Sequence, residues 1–272
     1  MQVFGIDVSY HNGNINWQKV KNAGVKFAIL RIGYTGYGSA RTKATDVKFE
    51  EYYKEAKSVG MPVGGYWYSC ACSKEEGIAE AKAVLSKIKG KQFEYPIYLD
   101  VEDSHHQAKA SKQAITDAIK GFCDTMEEAG YYVGFYCNVD WFENHMYPNQ
   151  LAEYDRWIAS WTSSKPLVAN RMWQFGGETN KICSNKIDGI PDNVTDCNYC
   201  YFDYPNLMKV AGLNGFQKQT TETPKLEKPE EEINTPNDDY YEDIETNNAL
   251  LWAIDALINI IKKLLNLLKS KK

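Results

Sequence analysis

The stretch Tyr95-Pro96-Ile97-Tyr98-Leu99-Asp100-Val101-Glu102 is an apolar run that ends in acids at alternate positions. Successive side chains of a strand point to opposite faces, so Asp100 and Glu102 share one face while Leu99 and Val101 share the other. Two carboxyl groups held this close cannot both ionise easily, and one of them tends to keep its proton. Such a pair suits acid-assisted cleavage of a glycosidic bond; solvated acids at an exposed strand end are the alternative interpretation.

Eight short apolar runs predict strands, over residues 3–8, 27–32, 63–68, 96–102, 132–137, 157–161, 172–175 and 197–202. Helical patterns separate the first five strands, over residues 17–23, 46–59, 74–89 and 111–129, and three of them end before Gly24, Gly60 and Gly130. This alternation predicts an α/β fold with a parallel sheet, and the count of eight predicts an irregular (β/α) TIM-like barrel over residues 1–216. The later connections are shorter and lose the helical pattern, so we expect the last third to be irregular.

The catalytic groups of barrel enzymes lie at the carboxyl ends of the strands. Asp7 ends the first predicted strand, Asp100 and Glu102 end the fourth, and Asp196 adjoins the eighth. Because the first and last strands of a closed barrel are neighbours, we expect these four acids to converge on one rim. Aromatic rings, which stack on sugars, stand at the same strand ends: Tyr34, Tyr66, Trp67, Tyr68, Tyr136, Trp161 and Trp173. As a set they predict a saccharide groove, with core packing as the alternative for each single ring.

A series of motifs over about residues 1–205 resembles the family 25 glycoside hydrolases, which are lysozymes of bacteriophages, bacteria and fungi. The opening matches are Gly5-Ile6-Asp7-Val8-Ser9, the segment from Gly13 to Gly24, and Phe27-Ala28-Ile29-Leu30-Arg31; then follow Gly64-Gly65-Tyr66, Asp100-Val101-Glu102, Gly134-Phe135-Tyr136, Trp157-Ile158-Ala159, Trp173-Gln174-Phe175 and Asp196-Cys197-Asn198. The resemblance implies a barrel that hydrolyses, with retention, the β-1,4 bond between N-acetylmuramic acid and N-acetylglucosamine. Trp67 and Trp161 depart from the histidine and tyrosine common at these positions.

The same resemblance implies roles for individual residues. Glu102 matches the general acid/base, Asp100 its partner carboxylate, and Asp7 and Asp196 the outer acids, while Gln174 joins the aromatic residues in substrate binding. Two mechanisms stay open: attack by the 2-acetamido oxygen of the substrate, or a covalent carboxylate nucleophile, which needs carboxyl groups about 5 Å apart. Neither mechanism needs a metal or an organic cofactor.

Composition bounds the remaining alternatives. The net charge of −5 argues against nucleic acid as a partner. The seven cysteines are an odd number, and the Cys197-x-x-Cys200 pair has no second pair beside it, so we interpret them as small buried apolar residues of a reducing compartment. The first residues show no secretory signal. We therefore expect synthesis in a host cytoplasm and action on the Gram-positive cell wall after release, as a phage endolysin. A bacterial autolysin, a virion-associated lysin and an inactive glycan-binding barrel are the alternatives.

The end of the chain has a different composition. Residues 217–245 contain three prolines and a net charge of −7, which predicts a linker. Residues 246–272 carry a net charge of +4, and Leu or Ile recurs every seven residues between 250 and 268, which predicts an amphipathic helix. Three uses compete for it: a homo-oligomer through residues 248–269, attachment to an anionic membrane surface, or packing on its own barrel.

Overall fold

The computed structural model describes residues 2–162, 164–175, 186–191 and 195–218, which belong to a compact unit of residues 1–221. The strands within them are β1 (Val3–Val8), β2 (Phe27–Thr35), β3 (Lys43–Thr45), β4 (Val63–Tyr68), β5 (Ile97–Asp100), β6 (Val133–Asn138), β7 (Asp155–Ala159), β8 (Met172–Gln174) and β9 (Asp196–Cys200). The helices are α1 (Trp17–Asn22), α2 (Phe49–Ser58), α3 (Lys74–Ile88), α4 (Lys112–Glu128), α5 (Val139–Asn144) and α6 (Tyr204–Ala211). The predicted helix over 246–272 lies outside the described residues, as does the predicted linker apart from its first two residues.

Eight of the strands close into a barrel. The order is β1, β9, β8, β7, β6, β5, β4, β2, and β1 pairs again with β2 to complete the ring. The short strand β3 pairs antiparallel with Gly33–Thr35, the part of β2 that extends beyond the end of its partner β1. The predicted α/β barrel is therefore confirmed, with one extra strand that the sequence pattern did not reveal.

The last strand of the barrel corrects the prediction of an all-parallel sheet. Strand β9 runs antiparallel to both of its neighbours, β1 and β8, while the other barrel pairs are parallel. A parallel return requires a crossover connection, usually a helix, and the sequence between β8 and β9 has no helical pattern. The antiparallel direction of β9 places its first residue, Asp196, at the rim where β1 ends.

Helices α1 to α4 confirm the four predicted helices, and capping residues set where α1, α3 and α4 begin. The side chains of Asn16, Ser73 and Ser111 each accept a hydrogen bond from a backbone N–H of the first turn. The sequence pattern missed α5 and α6, which have only six and eight residues. Among the described residues, no helix has the length and hydropathy needed to cross a membrane.

Two apolar layers surround the strands. On the outer side, Leu99 and Val101 belong to the core that packs the barrel against the helices. On the inner side, Tyr98 packs with Trp157 and with Tyr204 of α6. Tyr204 also contacts Tyr95, which precedes β5, so α6 lies at the amino ends of the strands, opposite the rim where Asp100 ends β5.

Candidate active site

Four acidic side chains meet at one rim of the barrel. Asp7 of β1 lies directly across from Asp196 in the β1–β9 ladder, because the antiparallel β9 begins at the rim where β1 ends. Asp100 ends β5 and is only 5% exposed, and Glu102 follows two residues later. Asp100, Glu102 and Asp196 line one groove, and Asp7 lies close enough to raise the pKa of each of them.

Asp7 is held by two amide side chains. Asn198 Nδ2 and Gln174 Nε2 both donate to Asp7 Oδ2, at 2.7 Å and 3.1 Å. Asn198 is fixed in turn by Trp157, whose indole N–H donates to Asn198 Oδ1 at 2.8 Å. Burial raises the pKa of Asp7 to about 6, against the lowering effect of the two amides. Asp7 is therefore anchored in the wall and ionises before its neighbours.

The other three carboxyl groups hold their protons more strongly. Burial, then the charge of Asp7, raises the pKa of Glu102 to about 7. Burial and the charges of Asp7 and Glu102 raise the pKa of Asp196 to about 8. The pKa of Asp100 lies well above its usual range for the same reasons, burial first and then Glu102 and Asp7, with Arg31 acting in the opposite direction. At neutral pH the cluster thus contains both a proton donor and an anion.

The acids face an open groove of about 430 Å³. Three of the predicted aromatic residues line it: Tyr34, Tyr66 and Tyr68. Tyr136 lies deeper and donates its hydroxyl proton to Gln174 Oε1 at 2.8 Å. Trp161 is half exposed, and its indole N–H lies 3.4 Å from the same Gln174 oxygen. Gln174 therefore connects Asp7 with the aromatic residues of the barrel mouth.

Two predicted substrate-binding residues lie elsewhere, which corrects their assignment. Trp67 is fully buried in the outer core, where its indole N–H donates to Thr35 Oγ1 at 3.2 Å. Because Tyr66 and Tyr68 face the groove, the residue between them must face the helices. Trp173 is 6% exposed and packs against Phe175, with its indole N–H bound to a backbone carbonyl. Neither indole lines the groove.

Sequence reasoning missed other residues of the groove. Arg31 donates through Nε to Asp46 Oδ2 at 2.7 Å, and its guanidinium lies over the rings of Tyr10 and Tyr34. Tyr10 and Tyr37 line the groove and are 43% and 55% exposed. Arg31 lies within β2 and its place depends on Asp46, 15 residues later, so no local pattern marked it, whereas the two-residue spacing from Asp196 was the signal for Asn198. No sequence signal distinguished Tyr10 or Tyr37 from other loop tyrosines.

Cys197 and Cys200 do not form a joint site. They stand three residues apart on β9, so they face opposite sides of the strand, one in the cluster around Trp173 and one inside the barrel. Within the described ranges, no group of three histidine, cysteine or acidic side chains is arranged to hold a metal ion.

Known proteins show the same architecture. A solved structure of a modular autolysin from Streptococcus pneumoniae, in complex with a synthetic peptidoglycan ligand, is 26% identical, with a TM-score of 0.62 over 74% of this chain and 47% of that one. A bacterial lysozyme from Streptomyces coelicolor shares the fold at 24% identity, with a TM-score of 0.62 over 77% of this chain and 96% of that one.

Curated relatives agree with these structures. An autolytic lysozyme of Clostridium acetobutylicum is 24% identical over 164 residues, which are 60% of this chain and 47% of that protein. The chain thus spans about half the length of this relative. The family model described as glycosyl hydrolases family 25 matches residues 6–182, which include Asp7, Asp100 and Glu102. The chain therefore belongs to glycosyl hydrolases family 25.

Proposed function

We propose that this protein is a muramidase, which hydrolyses the β-1,4 bond between N-acetylmuramic acid and N-acetylglucosamine of peptidoglycan with retention. The observation that carries the proposal is the cluster of four acids beside an open groove, in which Glu102 has a pKa of about 7 and Asp7 a pKa of about 6. A glycosidase needs one carboxyl that still holds a proton and another that is an anion at the same pH.

In this proposal Glu102 protonates the glycosidic oxygen as the bond from that oxygen to the anomeric carbon breaks. Positive charge then builds on the muramic ring. Asp100 Oδ1 is buried and has no hydrogen-bond partner among the described residues, so it is free to face that charge. A carboxylate at this buried position is poorly solvated, so a cationic ring stabilises it more than a neutral ring does, which makes this interaction stronger in the transition state than in the substrate complex.

Retention requires an intermediate on the other face of the ring. Either the 2-acetamido oxygen of the substrate or a carboxylate of the enzyme forms a bond to the anomeric carbon. Water then attacks that carbon, the bond formed to it by the acetamido or carboxylate oxygen breaks, and Glu102 takes the proton from water. Both routes return Glu102 to its starting state and consume one water molecule.

The biological role that we propose is cell-wall lysis by a phage endolysin, made in the host cytoplasm and acting on Gram-positive wall after release. A bacterial autolysin and a virion-associated lysin would use the same chemistry. The autolysin in complex with a synthetic peptidoglycan ligand supports the glycan strand as the partner, since 74% of this chain aligns with it.

The first prediction tests the acid. We expect Glu102→Gln to lower the rate of clearing of purified cell walls by about 10²–10⁴-fold, because the amide cannot donate a proton of comparable acidity. Glu128→Gln, an exposed change at the end of α4, is the matched control and should clear walls like the parent. Clearing by Glu102→Gln at the parent rate would refute the role of Glu102. A parent protein that binds walls without clearing them would instead identify a glycan-binding barrel.

A further inference from the structure

Glu80 of α3 is a buried carboxyl group that the chemistry above does not use. It is 1% exposed and reaches the carboxyl ends of β2 and β4. Thr35 Oγ1 donates to Glu80 Oε1 at 2.7 Å, and Ser69 Oγ donates to Glu80 Oε2 at 2.6 Å. The backbone N–H of Cys70 donates to Oε1 at 3.2 Å. One side chain thus joins the ends of two neighbouring strands.

The direction of these hydrogen bonds is fixed by their other partners. Ser69 Oγ also accepts from the N–H of Ala71 at 3.1 Å and from Gln107 Nε2 at 3.2 Å, which uses both of its lone pairs. Its own proton must therefore point to Glu80. An acceptor is required at Glu80 Oε2, and the Cys70 N–H requires another at Oε1. A carboxylate satisfies all three donors, whereas an amide of the same shape does not.

The contacts continue from Ser69 to the peptide that follows Glu102. Gln107 donates to Ser69 and accepts, through Oε1, the N–H of Asp103 at 3.0 Å. That N–H belongs to the peptide bond between Glu102 and Asp103. The Asp103 side chain is fully buried and accepts hydrogen bonds from the backbone N–H groups of the next turn. The residue that follows this peptide bond is therefore fixed as well.

We propose that Glu80 is a positioning residue for Glu102, acting through Ser69 and Gln107. This inference rests on the proposed function. The Glu80 carboxylate fixes the ends of β2 and β4. The hydrogen bonds that lead from Glu80 through Ser69 and Gln107 to the N–H of Asp103, which we call the relay, fix the peptide plane that carries the Glu102 side chain toward the groove. A misplacement of a catalytic group by about 1 Å can cost about 10²-fold in rate, so a relay of this kind controls turnover without contacting the substrate.

A change at a positioning residue affects turnover more than it affects substrate binding. Glu80→Gln keeps the volume of the side chain, but it places an amide NH2, which donates hydrogen bonds, where a carboxylate oxygen accepts one. With a soluble peptidoglycan fragment, we expect kcat to fall about 10-fold or more and KM to change by a much smaller factor, because the hydrogen bonds from Glu80 end at the peptide of Glu102 while β2 and β4 stay paired along their length. Glu75→Gln, an exposed change on the same helix, is the matched control and should leave both constants unchanged.

A second variant changes Gln107, which lies in the middle of the relay. Gln107→Met removes the bridge between Ser69 and Asp103 without touching Glu80, and it should lower kcat in the same way. If both act through one relay, the double variant loses little more than the stronger single variant. All rates are taken at a temperature where circular dichroism shows each variant folded; if Glu80→Gln does not fold, Gln107→Met alone decides.

The outcomes are distinct. Variants that unfold more easily but keep the parent kcat would make Glu80 a purely structural residue and overturn the inference, with the proposed function intact. Multiplicative losses in the double variant would also overturn the relay. A parent protein without hydrolytic activity in the same assay would overturn the proposed function and the inference together.

Discussion

Asp100 illustrates how a single residue can be costly in the resting protein and useful during the reaction. Its carboxyl group is buried beside Glu102 and Asp7, and the opposing cation is Arg31, which Asp46 holds in place. The carboxylate form of Asp100 is therefore poorly stabilised until positive charge appears in the groove. Electrostatic groups arranged in this way before the reaction are a main source of rate enhancement in enzymes.

The second prediction follows for Asp100→Asn. We expect turnover to fall about 10²-fold or more, since the anion facing the sugar ring is lost, while affinity for a wall fragment changes by less than about tenfold. Calorimetric binding measured beside the rate distinguishes the two effects. A variant that loses affinity but keeps its turnover would make Asp100 a substrate anchor.

At the residue scale, the sequence predicted the acids well and the aromatic residues less well. Asp7, Asp100, Glu102 and Asp196 could be found because strand ends in a barrel share one rim. Trp67 could have been excluded from the groove by the alternation of side chains along β4. Arg31 and Glu80 depend on contacts between residues far apart in the chain, which no local pattern contains.

Among the elements, α6 closes the end of the barrel opposite the active site. Tyr204 donates its hydroxyl proton to Asp155 Oδ2 at 2.7 Å, and Tyr132 donates to the same oxygen at 3.0 Å. Arg171 lies 3.5 Å from it. Burial raises the pKa of Asp155, while Arg171 and the tyrosines lower it, so these contacts are what make a buried acid tolerable there.

The third prediction tests this contact. Tyr204→Phe should lower the free energy of unfolding by about 1–3 kcal/mol, because a buried carboxylate loses a donor. Wall-clearing activity at 25 °C should be unchanged, since the residue lies at the far end of the barrel. Urea unfolding measures the effect, with the exposed Tyr147→Phe as control. A loss of activity without a loss of stability would contradict this division of the barrel.

Sequence patterns predicted the longer helices but missed α5 and the direction of β9, for physical reasons. Helices α2, α3 and α4 were predictable because their apolar stripes span several turns, and the six-residue α1 was predictable because Gly24 marks its end. Helix α5 has six residues, too few for a period of 3.6 to be recognised. The direction of β9 depends on the path of the preceding connection, and alternation within the strand is the same in either direction.

For the whole molecule, the active-site acids make stability depend on pH. Their pKa values in the folded protein, about 6 for Asp7, 7 for Glu102 and 8 for Asp196, lie above the values of 3.8 to 4.5 expected in the unfolded chain. In the pH range between these values, the unfolded chain binds fewer protons than the folded protein. The stability contributed by these groups is complete below about pH 4 and is lost as pH rises through 6 to 8.

The fourth prediction uses this dependence. Asp196→Asn should flatten the fall in the free energy of unfolding between pH 5 and 8.5 and should make the protein more stable than the parent at pH 8.5, because the amide has no charge to bury beside Asp7 and Glu102. Urea titrations at three pH values measure it. Asp188→Asn, at an exposed aspartate, is the control. If the free energy of unfolding falls equally with pH in the parent and in the variant, the pKa of Asp196 is not raised in the folded protein.

The fifth prediction concerns the end of the chain. The seven-residue recurrence of Leu and Ile between 250 and 268 predicts an apolar stripe large enough to seek a partner. We expect the full chain to be oligomeric by light scattering and a chain ending at Phe216 to be an active monomer. A full chain that is monomeric and sediments with anionic vesicles would favour attachment to lipid. A monomer that ignores vesicles would favour packing on the barrel.

The pairing of β1 with the reversed β9 has a consequence for biosynthesis. Asp7 receives its hydrogen bond from Asn198, 191 residues later in the chain. At about 5–20 residues per second, a ribosome makes the two residues about 10–40 s apart. Asp196 and Asn198 arrive together, and only then can the first strand find its last neighbour. A nascent or prematurely terminated chain therefore contains Asp7 without the amide of Asn198 and without Asp196 across from it. The active-site cluster is therefore completed only after β9 has been synthesised and has paired with β1.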